Sequence, residues 1–150
     1  LDEPWDSPHN KALIAKMPKI YTCPSEAPRE PGTTHYQVLV GPRPGEEKRI
    51  AGTAFQDPTK GCRIADITDG TSNTLMIVEA RNAVPWTKPE DVPFEVGQAL
   101  GAKLGSNHSG GWNTAFCDGS VRFVKQTIDE AILRALATRN GGEVVAPGGF

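Results

Sequence analysis

HSGGWNTAFCDGSVRF, residues 108–123, places two short apolar segments on either side of Asp118-Gly119. Asp-Gly between alternating apolar runs is a strong hairpin signal, because both residues tolerate the left-handed backbone of a tight turn. The stretch therefore predicts strands over 113–116 and 120–124. It also sets His108 nine residues ahead of Asp118 on one hairpin unit. Downstream, Thr127-Ile-Asp-Glu130 has the capping-box pattern. Ile128, Ile132, Leu133 and Leu136 then form an apolar stripe, giving a helix from Thr127 to Arg139 that Asn140-Gly141-Gly142 ends.

Upstream, Ser7 is a suitable N-cap and Pro8 a suitable first helical residue. Leu13, Ile14 and Met17 share a face of the short helix expected to follow, ending before Pro18. KIYTCPS (19–25) reads as a strand running into a loop, and Thr34 to Gly41 as a second strand. The polar Pro/Gly-rich run 41–52 is expected to be exposed. Asp69-Gly70 marks a turn, and Thr74 to Ala80 reads as a buried strand. The Pro-rich span 81–95 reads as a long loop, with Trp86 and Phe94 folded back onto the core. Strands without regular helical crossovers imply an α+β fold: a mainly antiparallel sheet with a β-hairpin and a C-terminal helix. Residues 1–143 are expected to form one domain, with 144–150 as a loose tail.

The chain has 150 residues, enough for one domain with a real core, and a net charge of −2. Its largest basic cluster is Lys48-Arg49, which argues against a nucleic-acid partner. No apolar run approaches the roughly 20 residues of a membrane span. P-loop, dinucleotide and G-x-S-x-G patterns are all missing. The three cysteines follow no C-x-x-C spacing. Cys23 and Cys62 lie in turn-like loops and are the candidate disulfide pair, whereas Cys117 reads as a small buried side chain.

The blocks LDEPWDSPHNKAL, ITDGTSNTLMIVEA, VPWTKPEDV, His-x(9)-Asp-Gly with SVRF, and RNGGE occur in this order from Leu1 to about Glu143. Together they resemble the C-terminal part of the bacterial family with a prepilin-type processing-associated His-x(9)-Asp-Gly domain, also called domain-of-unknown-function family 1559. The resemblance implies a pseudopilin-like globular domain, here lacking the N-terminal helix that would anchor it in the membrane. The chain, beginning at Leu1, is taken as a mature or trimmed piece. The resemblance also implies a periplasmic or cell-surface location in a bacterium. The implied partners are other proteins, either further copies or pilus and secretion components. It supplies no reaction.

The site candidates fall into four groups. His108 and Asp118, with Gly119, form the motif; they read either as a metal or proton-transfer pair or as plain turn and loop residues. Glu79, a carboxylate within LMIVEA, needs a partner if buried. With His108 and Asp118 it has the composition of a facial metal triad, the basis of a metal-dependent hydrolase or oxygenase reading. Asp66, Asp69, Thr71 and Asn73 crowd one loop with oxygen donors suited to calcium, and the resemblance to pseudopilins, which carry calcium as a group, adds to that; self-capping of the turn is the plainer reading. Trp86 and Trp112 either pin loops to the core or form the contact surface of a polysaccharide- or protein-binding module. The leading expectation is a non-catalytic assembly domain with no certain cofactor beyond possible calcium.

Overall fold

The computed structural model describes residues 2–25, 30–42, 51–56, 61–95 and 97–145. The expected hairpin is present: β5 (Gly111–Phe116) and β6 (Val121–Lys125) pair antiparallel, with Asn113 opposite Phe123 and Ala115 opposite Val121. Gly119 adopts φ +83 at the turn, a backbone angle that glycine takes at little cost. β5 also pairs with β3 (Leu75–Pro85), and β3 with β1 (Thr33–Gln37). The result is an antiparallel sheet in the order β1-β3-β5-β6. A short parallel pair, β2 (Leu39–Val40) with β4 (Val92–Pro93), lies beside it. With the helices α1 (Pro8–Lys11) and α2 (Glu130–Ala137) among the described residues, this is the α+β architecture expected.

One core cluster joins Leu75, Val78, Trp112, Phe116 and Val124 of the sheet with Leu133, Leu136 and Ala137 of α2. Trp112, Thr114, Phe116 and Val124 point inward, as the strand period requires. The apolar stripe read for α2 is its core face. Its start differs from the capping-box reading. Asp129, not Thr127, is the N-cap, accepting from the N–H groups of Ala131 and Ile132 at 2.8 and 3.3 Å. Ile128 N–H already donates to Lys125 in the turn after β6, and the carboxylate two residues ahead of Ala131 caps the helix. Glu130 is drawn elsewhere, accepting from the N–H groups of Leu100 and Gly101. The helix stops at Ala137, two residues before Arg139, because Thr138 is extended.

Three other expectations change. α1 is a single turn, Pro8–Lys11, capped by Ser7 as read; Leu13 is exposed, and Ile14–Lys16 is a 3-10 turn. The carbonyl of Ile14 accepts from the Trp86 indole, so it is not available to extend a helix. KIYTCPS holds a 3-10 turn at Lys19–Tyr21 rather than a strand, and the Tyr21 ring stacks on Trp86 at 5.6 Å. The strand read over 34–41 splits at Val38. There the chain leaves β3 for the β4 edge, with Val38 N–H donating to Asp91 and its carbonyl accepting from Val92.

β3 runs on through 81–85 where a loop was expected, because Thr33 and Thr34 pair with Pro85 and Val84 beyond a bulge. Phe94 is buried as read. Most of the run 41–52, namely 43–50, lies outside the described residues, as does 146–150 of the tail; Val145 packs against the core cluster. Among the described residues no helix is long and apolar enough to cross a membrane.

Candidate functional site

Three chain segments meet at one end of the sheet. The first is the turn after Lys19–Tyr21, which carries Cys23. The second is the middle of β3, which carries Glu79. The third is the loop leading into β5, which carries His108. The loop is shaped by Ser106, whose hydroxyl accepts from His108 N–H and donates to the Gly111 carbonyl. Cys23 is 5% exposed and Glu79 1% exposed, while the His108 side chain is 25% exposed.

His108 Nε2 lies 3.5 Å from Cys23 Sγ and 3.5 Å from Glu79 Oε1. Glu79 Oε2 is held by Asn113 N–H at 2.8 Å. Oε1 is buried and has no hydrogen bond; its separation from Nε2 is that of an ion pair. The sulfur, the nitrogen and a carboxylate oxygen all lie within 4.8 Å of one another. Among the described residues this is the grouping of His, Cys, Asp and Glu side chains able to hold a metal.

The structure thus brings together two members of the triad read from sequence and replaces the third. Asp118 stands at the far end of β5 from His108, separated by the length of that strand. Its carboxylate closes its own turn, accepting from Ser120 N–H at 2.9 Å and from the Ser120 hydroxyl at 2.7 Å, with Arg122 at 3.7 Å. The His-x(9)-Asp-Gly motif is therefore two separate devices: an aspartate that makes the hairpin turn, and a histidine that faces Cys23 and Glu79. Spacing along the chain does not mark Cys23, because it stands 56 residues from Glu79 and 85 from His108. The signal that pointed here was Glu79, a carboxylate inside an apolar strand.

The Ser120 hydroxyl, then its N–H, and more weakly Arg122, hold the Asp118 carboxyl below its ordinary value. A carboxylate whose folded value is depressed stabilises the fold above its unfolded pKa. That stability is lost as pH falls through the folded value. Asp118→Asn is therefore expected to lower stability near neutral pH, where the carboxylate is ionised, and to converge with the parent below about pH 4, which flattens the acid limb. Urea unfolding of both proteins across the acid range checks this, and parallel acid limbs would contradict it.

The oxygen-rich loop makes bonds within the fold. Asp66 pairs with Arg63 at 2.8 Å. Asp69 accepts from the N–H groups of Gly141 and Gly142, fastening the end of the α2 region. The Asn73 side-chain amide donates to the Asp69 carbonyl, and the Thr71 carbonyl accepts from Asp118 N–H. These are the self-capping contacts of the plainer reading. All three thiols are free: Cys23 is buried at His108, whereas Cys62 bonds the Arg63 carbonyl, so the candidate disulfide is not formed. Burial raises the pKa of the Cys117 thiol. Trp112 is 1% exposed and Trp86 is tied to Ile14 and Tyr21. Both pin the fold, and Trp112 offers nothing to a surface ligand.

The other face of the sheet, away from α2, is open. Register sets Ile77 of β3 beside Ala115 of β5, and Ala115 beside Val121 of β6. Phe123 lies on the same face opposite Asn113. Ile77, Val121 and Phe123 are 38%, 68% and 44% exposed. A groove of about 340 Å³ runs over this face, bordered by Tyr36, Ile77, Asn113, Ala115 and Val121.

No curated protein and no solved structure matches the chain. A family described as Protein of unknown function (DUF1559) matches residues 1–102 and 95–131. That covers most of the chain, including the hairpin, Cys23, Glu79 and His108, and the chain belongs to this family.

Proposed function

We propose that this is a non-catalytic, extracytoplasmic assembly domain of a bacterial surface, pseudopilin-like in design. Its open sheet face would receive the apolar helix implied by the family resemblance. The observation that carries the reading is the row Ile77–Ala115–Val121, with Phe123 beside it. Antiparallel sheets tolerate one wet face, but that face then alternates to polar residues. Here Ile77, Ala115, Val121 and Phe123 of three adjacent strands form an apolar row, with Asn113 within it and Lys125 at its end. A contiguous exposed apolar patch marks a contact surface. Its width fits the proposed occupant: from β3 to β6 is two strand spacings, about 10 Å, against a helix diameter of about 10–12 Å. Once that helix is seated, the remaining surface is free to meet further copies or other assembly components.

The test uses the protein with its natural upstream sequence in a bacterial host. Val121→Asp combined with Phe123→Glu places two charges on the open face. Both positions are exposed, so the stability of the globular domain is expected to change by less than about 1 kcal/mol. The amount recovered in sheared surface assemblies is expected to fall at least tenfold. Undiminished assembly of the double variant would contradict the reading.

A further inference from the structure

We propose that Cys23, Glu79 and His108 are the protein ligands of a zinc ion. The inference is independent of the assembly reading, since it concerns the opposite features of the chain: buried polar atoms rather than an exposed apolar face. Its first support is donor chemistry. Thiolate, imidazole and carboxylate are the three side-chain donors of zinc, bound at about 2.3, 2.0–2.1 and 2.0–2.2 Å in tetrahedral geometry. Tetrahedral angles at those bond lengths separate sulfur from nitrogen by about 3.5 Å and nitrogen from oxygen by about 3.4 Å. The observed separations are 3.5 and 3.5 Å.

The second support is an unmet need. Glu79 is 1% exposed and its Oε1 has no hydrogen bond. A buried carboxylate oxygen without a partner is costly. His108 does not resolve this, because a single Nε2 sits equally far from Oε1 and from the Cys23 sulfur and can donate to only one. A cation among the three meets all of them at once. The third support is orientation: Glu79 Oε2 is held by Asn113 N–H, the kind of outer contact that fixes a ligating carboxylate. His108 is the member that reaches solvent, which leaves a fourth position for water on its side.

The ion would tie the segment carrying Cys23 to β3 and to the loop ahead of the hairpin, joining residues 85 apart in the chain. That gives His108 of the motif a structural task that Asp118 does not share.

The experiment titrates zinc into chelator-treated, reduced protein against a chromophoric chelator, with cobalt substitution to report thiolate ligation. The parent is expected to bind one zinc per chain, to melt at a higher temperature with zinc, and to show a cobalt–thiolate charge-transfer band. Cys23→Ser and Glu79→Gln are each expected to weaken binding at least about 100-fold, beyond the cost of losing an outer contact. Both are near-isosteric, and circular dichroism establishes that each is folded; should one fail, the other and the parent's cobalt band decide. The double variant Cys62→Ser with Cys117→Ser is expected to bind as the parent does. Absence of stoichiometric zinc in the parent, undiminished binding in folded Cys23→Ser or Glu79→Gln, or loss in the Cys62/Cys117 variant would each overturn the proposal.

Discussion

Trp112→Ala is expected to lower the unfolding free energy by about 3–5 kcal/mol, the range for emptying a large aromatic site in a packed core. Trp112 is 1% exposed and sits in the cluster that joins β5 to α2. Its indole N–H is buried without a hydrogen-bond partner. Trp112→Phe removes that orphaned donor along with part of the ring, so the two effects oppose each other. The phenylalanine variant is expected to lose about 1 kcal/mol, well below the alanine variant. Urea unfolding followed by far-ultraviolet circular dichroism measures both. Equal losses would show that the indole N–H makes a bond important to the fold.

Gly32→Ala is expected to cost about 2–4 kcal/mol, the sum of a left-handed backbone penalty and an overpacking penalty. Gly32 has φ +79, and a Cβ there would run into the carbonyl and side chain of Ile14. That carbonyl also accepts from the Trp86 indole, Trp86 N–H donates to Gly32, and Tyr21 stacks on Trp86. The substitution breaks a knot that seats the N-terminal segment on the edge of the sheet. Gly119→Ala is the control: φ is +83, but nothing lies near the added carbon. It is expected to cost about 1–2 kcal/mol, from the backbone alone. Urea unfolding of the two variants gives the difference, and a Trp86-dependent fluorescence shift in Gly32→Ala alone reports the loosened segment. Equal costs at the two glycines would contradict the clash.

What the sequence made legible was local. Asp118-Gly119 named a turn that its own side chain closes, and the spacing of Ile132, Leu133 and Leu136 named the core face of α2, with Ile128 packed against the same cluster just ahead of it. Both are properties of neighbours in the chain. Where tertiary partners intervene, the reading failed. Ile14 had helical spacing, yet its carbonyl is claimed by Trp86, 72 residues away. Val38 had the pattern of an unbroken strand, yet Asp91 and Val92 draw it to another edge. Residues 81–85 looked like loop because of Pro85 and the prolines beyond it, but Pro85 is the last residue of β3.

The candidate site divides the same way. His108 and Glu79 were visible as a histidine in a motif and a carboxylate in an apolar run. Cys23 was not, because nothing near it in the chain requires a metal. Asp118 looked like its partner only because nine residues are few; an extended β5 between them carries the two side chains apart. Asp69 and Asn73 read as cation ligands from composition; in the fold the Asp69 carboxylate accepts from Gly141 and Gly142, and the Asn73 amide donates to the Asp69 carbonyl.

The central claim is that the open face formed by Ile77, Ala115, Val121 and Phe123 is a contact surface in the assembled protein. The most direct measurement places a photo-crosslinking amino acid at position 121 of the protein with its natural upstream sequence, in bacterial cells, and maps the adduct by mass spectrometry. The account predicts a crosslink from position 121 to an apolar helical segment, formed in high yield before the cells are disrupted. A position 121 that captures only water, with assembly intact, would contradict it.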